Sequence, residues 1–317
     1  MNIFIDTNIF FTFYNLSSEN IDELKKILIL HKERKLSLYL PELVVNEFWR
    51  NRSAEISRLI TEFKKDLKIE MPQLVRDEKL SGELVEALRN INKIKSQISR
   101  ELEEKILSEQ LAADIAVKEI FEASKKIQKT DKIIHSGIMR YDLGNPPGKK
   151  NSYGDAINWE SLLQAIPDGE DIHIISDDGD FYSPMSKERL NEYLLHEWVN
   201  KKKSNIFIYR RLSSFISNHF PEAKTSTDLE LNIAIEKLNN SASFASTHEA
   251  ISRLNKLNPY SQAQVVRIME IYHNNDQVRW IATDEDVKSF GEKLINEYGG
   301  NIEKEALDKF NALINGK

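Results

Sequence analysis

The stretch Asn2-Ile3-Phe4-Ile5-Asp6-Thr7-Asn8 decides how the rest of the chain is read. An apolar run of this kind, with no polar alternation, predicts a strand covered on both faces, as in a parallel sheet between helix layers. The run then ends on a carboxylate with no basic neighbour. A lone carboxylate at the end of a buried strand is costly unless a partner waits for it.

The sequence on either side supports the parallel sheet. Residues 19–32 place Ile21, Leu24, Ile27 and Leu28 at helical spacing, with acids early and lysines late, as the helix dipole prefers. Residues 36–40 (LSLYL) predict a second strand. Pro41 is suited to open a helix that continues with Leu43, Val44, Glu47 and Phe48. Strand, helix, strand, helix is the rhythm of an α/β fold with a small parallel sheet flanked by helices.

Further along, Leu84, Leu88, Ile91, Ile94, Ile98 and Leu102 follow three- and four-residue steps. They predict a long helix or a helical hairpin within residues 55–135, packed on the body or projecting as an arm. Residues 139–155 (MRYDLGNPPGKKNSYGD) read as a loop and 155–166 as a helix. Residues 171–181 (DIHIISDDGDF) read as a strand running into acids, and 204–215 as a last strand entering a helix. Beyond about residue 221 the chain is polar-rich and helical. The expected organisation is an α/β domain over 1–220, interrupted by a helical insertion at about 55–138, and a small helical domain over 221–317.

Composition narrows the chemistry. The 317 residues are 40% hydrophobic and 30% charged, as expected of a folded, soluble chain. No run is long enough to span a bilayer, the first residues lack the basic start of a signal peptide, and a cytoplasmic setting is expected. There is no cysteine, so disulfides, thiolate metal sites and cysteine nucleophiles are excluded. HExxH, GxSxG and strand-borne GxGxxG patterns are absent. GNPPGKK (144–150) fails the phosphate-loop pattern, because no Ser or Thr follows its lysine. The formal net charge of −6 argues against a protein that simply coats nucleic acid.

The acids fall where an α/β sheet gathers its ligands, beyond the carboxyl ends of its strands. Asp6 ends the first strand, and Asp177, Asp178 and Asp180 follow the strand at 172–176. Glu47 lies early in the helix after the second strand, and Asp155 opens a helix. Taken singly, Asp155 reads equally as a helix cap, Glu47 as a solvated helix residue and SDDGDF as an ordinary turn. Crowded together, these groups would repel unless a cation neutralised them. Hard oxygen donors in this number suit Mg²⁺ or Mn²⁺, and such a site activates water for phosphodiester hydrolysis. Asn8 is expected to support the Asp6 turn. Lys149 and Lys150 stand just upstream of Asp155, where a phosphate backbone would need positive charge. Arg50 and Arg52, on the Glu47 helix, are placed along the same path, and Trp49 reads as core. Lys201, Lys202, Lys203, Arg210 and Arg211 form a second basic stretch, equally suited to a solvated strand edge or a binding face.

With these residues in hand, the chain resembles PIN-domain nucleases. IFIDTN, the glutamate of LPELVVNEF, YGDAINW and IISDDGDF match that family's acidic motifs in order. The resemblance implies a divalent-metal endonuclease acting on nucleic acid, RNA more often than DNA. It implies an acid set of Asp6, Glu47, Asp155 and Asp178, with Asp180 as a fifth candidate and Ser176 within the last motif. The helical insertion and C-terminal extension resemble the larger bacterial members, for which a role in defence or growth control is an analogy. Alternatives that stay open are a flap or single-strand DNA endonuclease, and a non-catalytic module binding a partner. A homodimer or protein partner would use the helical insertion or the C-terminal domain.

Overall fold

A computed structural model describes residues 1–15, 20–76, 78–148 and 152–316. The chain divides into two compact units, Met1–Ile216 and Ser217–Lys317. The first contains β1 (Asn2–Ile5), α1 (Thr7–Thr12), α2 (Ile21–Lys32), β2 (Ser37–Pro41) and α3 (Glu42–Lys64). It continues through α4 (Gln73–Arg76), α5 (Lys79–Leu107), α6 (Ala112–Ala123), β3 (Lys125–Ile127), α7 (Asp131–Asp142) and α8 (Gly154–Ala165). Then come β4 (Ile172–Ile175), β5 (Tyr182–Ser183), β6 (Ser186–Leu190), α9 (Glu192–Lys202), β7 (Ile206–Tyr209) and the start of α10 (Leu212–His219), within which the first unit ends.

Five strands form one parallel sheet in the order β3-β2-β1-β4-β7. β1 is central and every residue in it is buried, as are all four of β4. This is why both strands read as unbroken apolar runs: helices cover both faces. The chain first builds outward from β1 through β2 to β3, then returns to lay β4 and β7 on β1's other side. The order therefore reverses between β1 and β4, and such a switch point opens a crevice beyond the strand ends.

Two local expectations are corrected. Within the stretch read as wholly helical, Lys125–Ile127 pairs with Tyr39–Pro41 as a fifth strand. It is short and polar, so it carries no apolar signal. Met139–Asp142 is the last turn of α7, not loop. The β5–β6 ribbon and α9 also fill a stretch that the sequence left unassigned. α6, in the same insertion, packs on the body and buries Val117, Ile120 and Phe121.

α3 and α5 do form a hairpin. Arg52 reaches the carbonyl of Ile106 at 3.1 Å, and Asn92 pairs with the backbone of Leu67 at 3.1 and 3.3 Å. The pairing runs in opposite senses along the two helices, so they are antiparallel. Leu88 and Leu102 lie on the inner, half-buried side of α5, whereas Leu84, Ile91, Ile94 and Ile98 are exposed.

The second unit contains α11 (Ser226–Asn239), α12 (Phe244–Asn255), α13 (Gln262–Asn274), α14 (Asp276–Trp280), α15 (Glu285–Tyr298) and α16 (Lys304–Ile314). It has its own core, built from Leu231, Ile235 and Leu238 on α11, Tyr272 on α13, Phe290 on α15 and Phe310 on α16. Thr225, Ser243 and Ser261 cap α11, α12 and α13 through reciprocal side-chain bonds.

Candidate active site

Asp6 is the residue at which β1 ends and α1 begins. Its amide donates to the Ile175 carbonyl at 2.9 Å, the last rung of the β1–β4 ladder. Its side chain caps α1, accepting from the Thr7 amide at 2.7 Å. The other carboxylate oxygen accepts from the Ser176 hydroxyl at 2.6 Å. The group is only 4% exposed.

Glu47 comes from the second turn of α3, which starts where β2 ends. The Thr7 hydroxyl donates to its Oε2 at 3.0 Å. Thr7 thus ties the Asp6 turn to the Glu47 helix, a role its sequence position did not advertise. Asp178 follows β4; its amide donates to the Ser176 hydroxyl at 3.1 Å, and its Oδ1 accepts from the Asp180 amide at 3.0 Å. Asn8 donates to the Ser176 hydroxyl at 3.5 Å, while its own Oδ1 is buried without a hydrogen-bond partner among the described residues.

Electrostatics distinguish Asp6 from an ordinary cap. Burial pushes its carboxyl up to about 6. The Ser176 and Thr7 hydrogen bonds oppose that rise, and the charges of Glu47 and Asp178 add to it. A desolvated carboxyl that also feels two other acidic charges is one that a nearby cation would relieve.

Asp155 is the second residue of α8, in its first turn; the N-cap is Tyr153, so Asp155 is not the cap. α8 leads through a short connection into β4 and runs back across the sheet. Its first turn accordingly lies at the edge where β1 and β4 end. One turn on, Asn158 is 1% exposed, and both polar atoms of its side chain lack a partner among the described residues.

The placement of α8 is fixed by α7. A Cβ on Gly137 would sit 2.5 Å from Ile157 Cγ1, 2.8 Å from its Cα and 3.0 Å from its amide nitrogen, so only glycine permits this approach. Arg140, buried one turn later, donates to Glu160 at 2.8 Å, to Glu197 at 2.5 and 2.6 Å and to the Pro146 carbonyl at 2.6 Å. Neither Gly137 nor Arg140 was singled out from sequence, since a lone glycine or arginine in a helix carries no pattern.

Of the basic residues expected along the substrate path, Arg52 falls elsewhere. Arg52 is buried, bonded to Asp114 at 2.6 and 2.5 Å, with Tyr14 on the same carboxylate. It is a structural anchor between α3 and α6, not a residue of the substrate path. Arg50 is exposed on α3, one turn beyond Glu47. Lys149 and Lys150 lie outside the described residues. In the second basic stretch, Lys202 is buried on the Ile166 carbonyl and Asp168, Lys201 pairs with Glu197, and Arg210 pairs with Asp177 at 2.6 Å. Asp177 is thereby answered locally.

A family model for the PIN domain matches residues 3–181. The chain belongs to the PIN-domain family. The match spans β1 through the turn after β4 and includes the helical hairpin. No curated protein and no solved structure matches the chain. PIN domains are nuclease-type folds that generally depend on a divalent metal. Among the described residues of this PIN domain, no three Asp, Glu or His side chains stand close enough to hold an ion between them. The donor set nonetheless fits a hard cation: oxygen donors only, one carboxyl desolvated, and a buried amide oxygen on Asn8 left without a partner among the described residues. No helix is long and apolar enough to cross a membrane among the described residues.

Proposed function

We propose that this PIN domain is a divalent-metal-dependent endonuclease, with RNA as its preferred substrate class. The observation that carries the reading is a desolvated Asp6 at the β1–β4 switch point whose carboxyl feels the charges of Glu47 and Asp178. Asp6, Glu47 and Asp178 would hold Mg²⁺ or Mn²⁺, with Asp155 and Asp180 completing the set from α8 and the turn after β4. A cation bound there supplies neutralising charge, an acidified water and a grip on the scissile phosphate.

The chain's own residues do the positioning. Ser176 and Thr7 hold the two oxygens of Asp6 in fixed directions, and Thr7 holds Glu47. The Asp180 amide orients Asp178. In the hydrolysis a water oxygen forms a bond to phosphorus and one phosphodiester P–O bond breaks. The water's proton passes to one of the carboxylates, and the departing oxygen takes up a proton and leaves as a hydroxyl. Arg50, Lys149 and Lys150 supply positive charge for the flanking phosphates, and the reading as RNA rests on the family resemblance.

Labelled single-stranded RNA, single-stranded DNA and branched DNA, each with Mn²⁺, test the proposal against Asp6→Asn and Asp178→Asn. Cleavage of RNA by the wild type, lost in both variants while circular dichroism is unchanged, supports it. Cleavage of branched or single-stranded DNA alone would replace the substrate class. No cleavage and no Mn²⁺ binding would leave a non-catalytic module.

A further inference from the structure

α5 turns its most regular apolar face away from the helix it pairs with. Leu80, Leu84, Ala87, Ile91, Ile94 and Ile98 recur at alternating steps of four and three, the spacing of a coiled-coil seam. All six are exposed; the five larger side chains are between 38% and 68% accessible. The face that α5 presents to α3 is a different one. It mixes Leu88 and Leu102 with Asn92, Lys95 and Ser99, and two of the polar members bond to backbone across the hairpin: Asn92 to Leu67, Lys95 to Lys65. The hairpin is thus held partly by polar contacts, while a seam about 27 Å long at the helical rise stays uncovered. Exposed apolar surface so ordered marks an interaction site.

We infer that this seam pairs with α5 of a second copy of the chain, antiparallel, to form a four-helix assembly of two hairpins. The spacing itself is self-complementary. Set antiparallel about residue 89, Leu80 meets Ile98 of the other copy, Leu84 meets Ile94 and Ala87 meets Ile91. Every seam residue finds an apolar partner and none is left over. Such a pairing is isologous and closes as a two-fold dimer. Along the flanks of this seam Glu83 of one copy comes beside Gln97 of the other and Ser81 beside Lys95, so no like charges are opposed. The inference does not depend on nuclease activity.

Sedimentation equilibrium of the full chain tests it, with Ile91→Glu/Ile94→Glu as the disrupting variant. Both positions are exposed, so the variant keeps its circular dichroism and melting. The expected result is a dimer for the wild type and half that mass for the variant. Because the chain has no cysteine, orientation is read by disulfide trapping. Ala87→Cys mixed with Ile91→Cys should cross-link far more than either variant alone. A wild type that is monomeric at tens of micromolar, or a dimer that survives both glutamates, overturns the inference. Trapping within each single variant instead of the mixture overturns the antiparallel register.

Discussion

The Ser176 hydroxyl donates to Asp6 Oδ2 at 2.6 Å and accepts from the Asp178 amide at 3.1 Å, so one side chain joins the ends of β1 and β4. It is fully buried. Ser176→Ala removes a hydrogen bond to a desolvated carboxylate, a loss of about 1.5–3 kcal/mol when that group is charged. Of the influences that hold the Asp6 carboxyl down, Ser176 is the largest, so its loss drives Asp6 further up. The destabilisation should be greater at pH 8, where Asp6 is ionised, than at pH 5. Urea unfolding at the two pH values measures it.

Asp6 itself should trade stability for function. Its carboxyl ionises near 3.8 in the unfolded chain and at about 6 in the folded one. Between those values the folded state holds a proton the unfolded state has lost, so stability declines as pH rises from 4 and the loss is complete above 6. The gap corresponds to on the order of 2–3 kcal/mol, at about 1.4 kcal/mol per pH unit. Asp6→Asn should therefore melt higher than the wild type at pH 8 in chelator. It should also show a flatter melting profile between pH 4 and 7. A variant that melts lower at every pH would show that Asp6 is a structural cap and little else.

Metal binding should report the same proton. Below pH 6 a cation must displace it, so Mn²⁺ affinity should fall about tenfold for each unit of acidification. Above pH 7 the dependence should level off. Calorimetric titrations at pH 5, 6, 7 and 8 test this, and Asp6→Asn should abolish the binding.

Gly137→Ala probes the site from behind. The added methyl would meet backbone atoms of Ile157, which cannot rotate away. Overpacking of this kind costs about 1–3 kcal/mol. Because α8 carries Asp155, cleavage should drop further than the stability loss alone explains, with Mn²⁺ binding weakened although Gly137 touches no ligand. Activity and calorimetry at a temperature well below melting separate the two effects.

How far the sequence foretold this protein differs between its parts. β1 and β4 were legible because both are buried on two faces, which strips them of polar alternation. β3 was not, because an edge strand of three residues with two exposed lysines looks like any turn. Asp6 stood out for the same reason that its carboxyl is perturbed: a charge where the pattern demands none. Glu47 and Asp178 were legible only as a set, because neither breaks a local rule. Ser176 was legible only through its motif, and the reach of Thr7 to Glu47 was hidden. Thr7 acts across forty residues and Ser176 across one hundred and seventy, and no periodicity encodes a hydrogen bond of that span. Arg52 misled because its partner, Asp114, lies in a helix that looked like part of the insertion.

The sheet order has a consequence for the growing polypeptide. β1 precedes the other strands of the sheet, yet one of its two neighbours, β4, is about 170 residues further along. A nascent chain that has released β1, β2 and β3 still lacks Ser176 and Asp178, and its Asp6 has no wall on that side. Contacts of such long sequence separation form late. The surroundings of Asp6 are therefore among the last features to assemble, and a truncated product ending before β4 would carry three of the five strands and lack Ser176 and Asp178.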